Sequence, residues 1–187
     1  MLNRDTSAVF LSASIPPELL QSPGAATFRH VFDVTRSLGF RYLWIDSLCI
    51  MQDNDSEKAA EIAHMEEVYS DSSLNISATD AESGSDGLIF DRNPLAVNPC
   101  RRTMVSTSAQ KSLSNSEPLI ACTPWQNEFR DYVTEAPLNK RVWVFQERTL
   151  TPRVVYFTKK EIYWECHSLR APEIHPVGGE GHCGDRR

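Results

Sequence analysis

A run of strand formers, Arg41-Tyr-Leu-Trp-Ile-Asp46, lies between two stretches of helical spacing, and this alternation narrows the folds open to the chain. Before it, Phe28, Val31, Phe32 and Leu38 recur at helical intervals, which predicts a helix over 25–38. Gly39 follows where a left-handed cap is wanted. The run itself is almost continuously apolar, so it reads as a buried central strand. After it, Asp53-Asn-Asp-Ser-Glu57 reads as a loop feeding a helix, with acids where the helix dipole favours negative charge. Ala59, Ile62, Met65 and Tyr69 then form one stripe of a helix over 56–69. Leu74-Asn-Ile-Ser-Ala78 alternates like a short strand. Helix, strand, helix, strand in that order predicts an α/β fold, with a short, mainly parallel sheet flanked by helices.

The flanks are less regular. Residues 1–24 carry Pro16, Pro17 and Pro23 and read as an irregular segment. Residues 79–117, rich in Ser, Asp, Gly, Asn and Pro, read as a long loop inside a domain of 25–166. A strand is expected over 118–122. The stretch 138–150 is ambiguous: Val142-Trp-Val-Phe145 has strand propensity, whereas Gln146-Glu-Arg148 and a cap at Asn139 favour a helix. Val154–Phe157 and Glu161–Trp164 predict a C-terminal β-hairpin turning at Thr158-Lys-Lys160. Residues 167–187 read as a flexible tail, with Gly178, Gly179, Gly181 and Gly184 at its end.

Composition excludes several classes. At 187 residues the chain suits one domain that buries roughly 70% of its unfolded surface. Nineteen Lys and Arg against 25 Asp and Glu give a net charge of −6, and no basic run interrupts it. Nucleic acid held through phosphate contacts is therefore not expected. The apolar patch from Ala8 to Leu11 is too short for a membrane span, and no other stretch is long enough. Five widely spaced cysteines do not make a disulfide framework, so a reducing, cytoplasmic setting is expected. Cys166, His167, His175, His182 and Cys183 match no compact zinc pattern, and no metal is expected. Ser47 and Ser77 lack a histidine at suggestive spacing, and Cys49 among Leu48 and Ile50 reads as a buried inert thiol.

Three blocks resemble the fungal heterokaryon incompatibility (HET) domain. They are Leu38-Gly-Phe-Arg-Tyr-Leu-Trp-Ile-Asp-Ser-Leu-Cys-Ile-Met-Gln-Asp53; Met65-Glu-Glu-Val-Tyr69 with Leu74–Ala78, Asp86-Gly-Leu88 and Arg92; and Pro137-Leu-Asn-Lys-Arg-Val-Trp-Val-Phe-Gln-Glu-Arg148 with Pro152-Arg-Val154 and Trp164-Glu-Cys166. The likeness spans about residues 28–166. The family's opening strand and its Ser-Tyr/His-Cys-Trp-Gly-type turn are absent, so a truncated copy is expected. Lys58 stands where the family often has Trp, and Val142 where it often has Gly. The resemblance implies an effector of non-self recognition and programmed cell death that works by self-association or with other signalling proteins. The alternatives are a non-catalytic interaction domain and an inactive fragment.

The HET domain in turn is similar to the Toll/interleukin-receptor (TIR) fold. Trp143-Val-Phe-Gln-Glu147 has the Trp-x-x-x-Glu spacing of the helix that carries the catalytic glutamate in NAD-cleaving TIR domains. That likeness makes NAD a candidate substrate, Glu147 the candidate catalytic acid and Trp143 a stacking platform one helical turn away. A carboxylate can steady the oxocarbenium character that develops when an N-glycosidic bond breaks. The competing reading has Glu147 pairing with Arg141, Arg148 or Arg153. Asp46, Ser47 and Gln52 are candidate ligand-binding residues, because ligands of open parallel sheets bind at the carboxyl ends of strands. Their competing roles are local: a turn cap for Asp46 and a backbone tie for Gln52.

Overall fold

A computed structural model describes residues 2–3, 20–93, 100–103, 119–122, 129–140 and 142–176. Helix α1 (Ala26–Ser37) buries Ala26, Val31 and Thr35, and Gly39 closes it at φ +78°. A single helical turn, α2, covers Asp46–Cys49. Helix α3 (Asp55–Ser70) starts at Asn54, whose side chain accepts the Glu57 N–H. After β1 (Asn75–Ser77), strands β2 (Cys100–Thr103) and β3 (Leu119–Cys122) form a separate antiparallel pair. A π-helical turn (Arg130–Thr134) and a 3₁₀ turn (Pro137–Lys140) lead into helix α4 (Val142–Leu150). Strands β4 (Arg153–Phe157), β5 (Ile162–Cys166) and β6 (Arg170–Pro172) follow.

The main sheet has the order β1-β4-β5-β6, and only β1 and β4 run parallel. The β4–β5 and β5–β6 pairs are antiparallel. The fold is α/β, as expected, but the sheet is mixed rather than mainly parallel. The physical reason lies in its connections: β4, β5 and β6 are joined by short loops, which permit only antiparallel neighbours. The expected C-terminal hairpin is present, with Val155 opposite Trp164 and Tyr156 opposite Tyr163.

The expected central strand at 41–46 is a second correction. Ile45 is extended (φ −138°, ψ 122°), yet no strand pairs with this segment among the described residues, and Tyr42 is 85% exposed. Strand propensity measures fit to a pleated, half-buried surface, and without a neighbour it is not realised. Leu2 instead hydrogen-bonds to the Ser47 carbonyl and the Gln52 N–H. The third correction concerns 167–187, where Arg170–Pro172 extends the sheet rather than fraying. Residues 177–187 lie outside the described residues, as do 1, 4–19, 94–99, 104–118, 123–128 and 141.

The core lies on one face of the sheet. Val154, Tyr156 and Tyr163 are buried there beneath Val133, and Phe129 meets both tyrosines edge-on at 5.7 and 5.8 Å. The Asp86-Gly87-Leu88 motif is structural. Asp86 accepts the N–H groups of Glu82 and Ser83, and Gly87 (φ +77°) brings the loop against α1, where His30 Nδ1 accepts the Leu88 N–H at 3.0 Å. A Cβ at Gly87 would collide with the His30 ring. Arg92 grips Glu173 through both guanidinium nitrogens. No helix among the described residues is long and apolar enough to cross a membrane.

Candidate functional site

Helix α4 carries the candidate acid. Val144, Glu147 and Arg148 share one face of it by helical spacing. Together with β1, β4 and the 3₁₀ turn they wall a cavity of about 170 Å³, into which Asn75 and Ser77 add polar groups. That is close to the roughly 150 Å³ cavity known to admit a benzene ring, so the space suits one ring and not a whole dinucleotide. The helix ends cleanly, since Thr151 donates both its N–H and its hydroxyl to the Glu147 carbonyl.

Arg148 points into a sealed network. Its guanidinium forms a two-nitrogen grip on Glu165 at 3.0 and 3.2 Å. Arg170 reaches the same carboxylate at 2.8 Å and the Tyr156 hydroxyl donates to it at 2.5 Å. Both guanidinium groups also stack over Phe129, at 5.3 and 4.8 Å. Glu165 is 1% exposed. Burial alone would raise its carboxyl, but the hydrogen bonds and charges of Arg148, Tyr156 and Arg170 hold it down at about 2.

Glu147, the next residue back, has different company. Helix α3 packs against α4, and the Glu147 charge is felt at the Tyr69 phenol near the end of α3. Trp44 meets the Tyr69 ring edge-on at 5.7 Å and 77°. Burial raises the Tyr69 phenol well above its ordinary range, and the negative charges of Glu147 and Asp46 push it further. Trp44 thus packs on the Tyr69 ring, and the charges of Glu147 and Asp46 are felt at its phenol. Of the arginines weighed as partners for Glu147, Arg148 is committed to Glu165 and Arg153 reaches the Ser73 carbonyl at 3.5 Å. Arg141 lies outside the described residues.

The other candidates are placed as follows. Asp46 is exposed at the start of α2, and its Oδ1 accepts the Ser47 N–H at 2.6 Å. Ser47 is half-buried, and its carbonyl accepts from Leu2. Gln52 ties its own loop, donating to the carbonyls of Ile50 (2.9 Å) and Asp46 (3.3 Å). Trp143 is 58% exposed and does not line the cavity, where Val144 forms the apolar wall. Asn139 does not cap α4; its side-chain amide donates to the Val133 carbonyl. Cys49 is exposed, not buried. No group of three or more metal-binding side chains gathers among the described residues. Tyr69 was legible only as one member of an apolar stripe. The signal that could have singled it out is its hydroxyl, which a half-buried tyrosine directs to a polar partner.

The chain matches the family model for heterokaryon incompatibility protein (HET) over residues 6–147. It belongs to the HET family. No curated protein and no solved structure matches the chain significantly. The HET segment includes Trp44, Asp46, Tyr69 and Glu147 and ends at that last residue. Strands β4 to β6, which carry the Glu165 anchor, lie beyond it.

Proposed function

We propose that this HET domain is an effector of fungal non-self recognition, acting in the cytoplasm by self-association to trigger programmed cell death, with NAD cleavage at Glu147. The observation that carries the enzymatic part is Glu147 in the wall of a ring-sized cavity. The Trp143-x-x-x-Glu147 spacing shared with NAD-cleaving TIR domains supports it as well.

The chemistry is simple to balance. The bond between ribose and nicotinamide breaks, and its electron pair leaves on the ring nitrogen, which loses its positive charge. Water adds to the ribose carbon and releases a proton. A carboxylate beside the ribose stabilises the positive charge that develops there. The cavity would take the departing ring, with the rest of the dinucleotide outside it.

The test is nicotinamide release from NAD by the purified full chain. Turnover is expected for the wild type and at least about 100-fold less for Glu147→Ala. No turnover at high protein concentration, or equal turnover by Glu147→Ala, would overturn the enzymatic reading. A second reading, a non-catalytic interaction domain, is favoured by the exposure of Tyr42 (85%), Phe145 (74%) and Trp143 (58%). It predicts concentration-dependent oligomers and a cell toxicity that Glu147→Gln leaves intact.

A further inference from the structure

The register of β1 on β4 decides which β1 side chains reach the cavity. Asn75 pairs with Val154 and Ser77 with Tyr156, and partnered residues of neighbouring strands share a face of the sheet. Val154 and Tyr156 are buried on the core face, so Asn75 and Ser77 project to that same face, where α4 and the 3₁₀ turn close the cavity over them. Most polar groups around this space are already engaged. Arg148 and Tyr156 are bound to Glu165, the Asn139 amide donates to the Val133 carbonyl, and the Ser77 hydroxyl lies 3.1 Å from that of Thr79. Among the described residues no hydrogen bond engages the half-buried Asn75 side chain. It presents an N–H donor and a carbonyl acceptor together, in a wall shared with apolar Val144 and Val154.

We propose that the cavity is a subsite for a flat ring bearing a neutral carboxamide, with Asn75 as its specificity-determining residue. Two amides can exchange two hydrogen bonds, each donating to the other's oxygen. A ring carboxylate only accepts, so it satisfies the Asn75 N–H and leaves the Asn75 oxygen facing a second acceptor. A bare ring fills the apolar space and leaves the amide unpaired. The choice of nicotinamide as the ring rests on the reading of Glu147 as the acting acid, and Asn75 adds a role that reading does not supply.

The probe is nicotinamide, titrated into the full chain at neutral pH and followed by ligand-observed NMR. It is compared with nicotinic acid, which differs only in carrying a carboxylate. The wild type should bind nicotinamide about tenfold more tightly or better, the ratio that two net hydrogen bonds supply. Asn75→Leu keeps the size of the side chain and removes both polar atoms. It should weaken nicotinamide about tenfold or more and bring the two ligands within about twofold of each other. Asn75→Ala takes its place where Asn75→Leu does not fold, and the wild-type comparison needs no substitution at all.

The outcomes separate cleanly. Equal wild-type affinities, no nicotinamide binding at millimolar concentration, or an unchanged nicotinamide affinity in Asn75→Leu overturns the role of Asn75 whether or not NAD is cleaved. An Asn75-dependent preference for nicotinamide in a chain that cleaves no NAD upholds the subsite and removes the cleavage reading alone.

Discussion

Two glutamates near helix α4, Glu165 and Glu147, sit in opposite settings. Tyr156 donates to Glu165 inside the sheet, where two arginines complete the carboxylate's partners and Glu165 is 1% exposed. Glu147 is half-buried in the wall of a cavity, and its charge is felt at the Tyr69 phenol. The first is a neutralised anchor that fixes α4 on the sheet through Arg148. The cavity wall leaves the other acid, Glu147, in a half-open setting. On the proposed reading, neighbouring residues divide the work, with Glu147 serving chemistry and Arg148 support.

The comparison can be broken at its strong end first. Glu165→Gln leaves Arg148 and Arg170 without their counter-charge and should lower the unfolding free energy by about 3–5 kcal/mol in chemical denaturation. A loss below about 1 kcal/mol would mean that the network does not anchor the helix. The same pair sets an acid limit. The Glu165 carboxyl sits at about 2 in the folded chain against an ordinary 4.5. Its contribution is therefore complete above about pH 4.5 and lost as pH falls toward 2, a decline on the order of 3 kcal/mol. Unfolding measured across that range should show the slope in the wild type and lack it in Glu165→Gln. The two phenols then sharpen the contrast. Tyr156→Phe should cost about 2 kcal/mol, while Tyr69→Phe should cost under about 1 kcal/mol, because only the first leaves a fully buried carboxylate short of a donor. Smallest of all, Trp143→Ala should change stability by about 0.5 kcal/mol or less, since the ring is 58% exposed.

Much of the local structure was legible in the residues. The α1 stripe ending at Gly39, the loop into α3 and the β4–β5 hairpin all follow from spacing and turn chemistry. The segment 138–150 resolved into the 3₁₀ turn and helix α4 because Val144, Glu147 and Arg148 find their cavity and sheet partners at helical spacing. What failed were statements about neighbours. Tyr42-Leu-Trp-Ile45 has strand-forming side chains and, among the described residues, no strand beside it, and the order of elements up to β1 suggested parallel pairing that the later short connections reversed. The site was half legible for the same reason. Glu147 and Asp46 could be proposed from motif and position, but that both charges are felt at Tyr69 depends on how α3 lies on α4. Likewise Glu165, an acid in an alternating strand, gives no sign in its own segment of the two arginines that neutralise it.

The account stands on Glu147 being held for chemistry and not for the fold. Its most direct test is the unfolding free energy of Glu147→Gln. Glu147 is half-buried at a cavity wall and not sealed in the core, so the near-isosteric variant should remain within about 1 kcal/mol of the wild type. A loss of about 3 kcal/mol or more, like that expected for Glu165→Gln, would make Glu147 a second anchor and contradict the account.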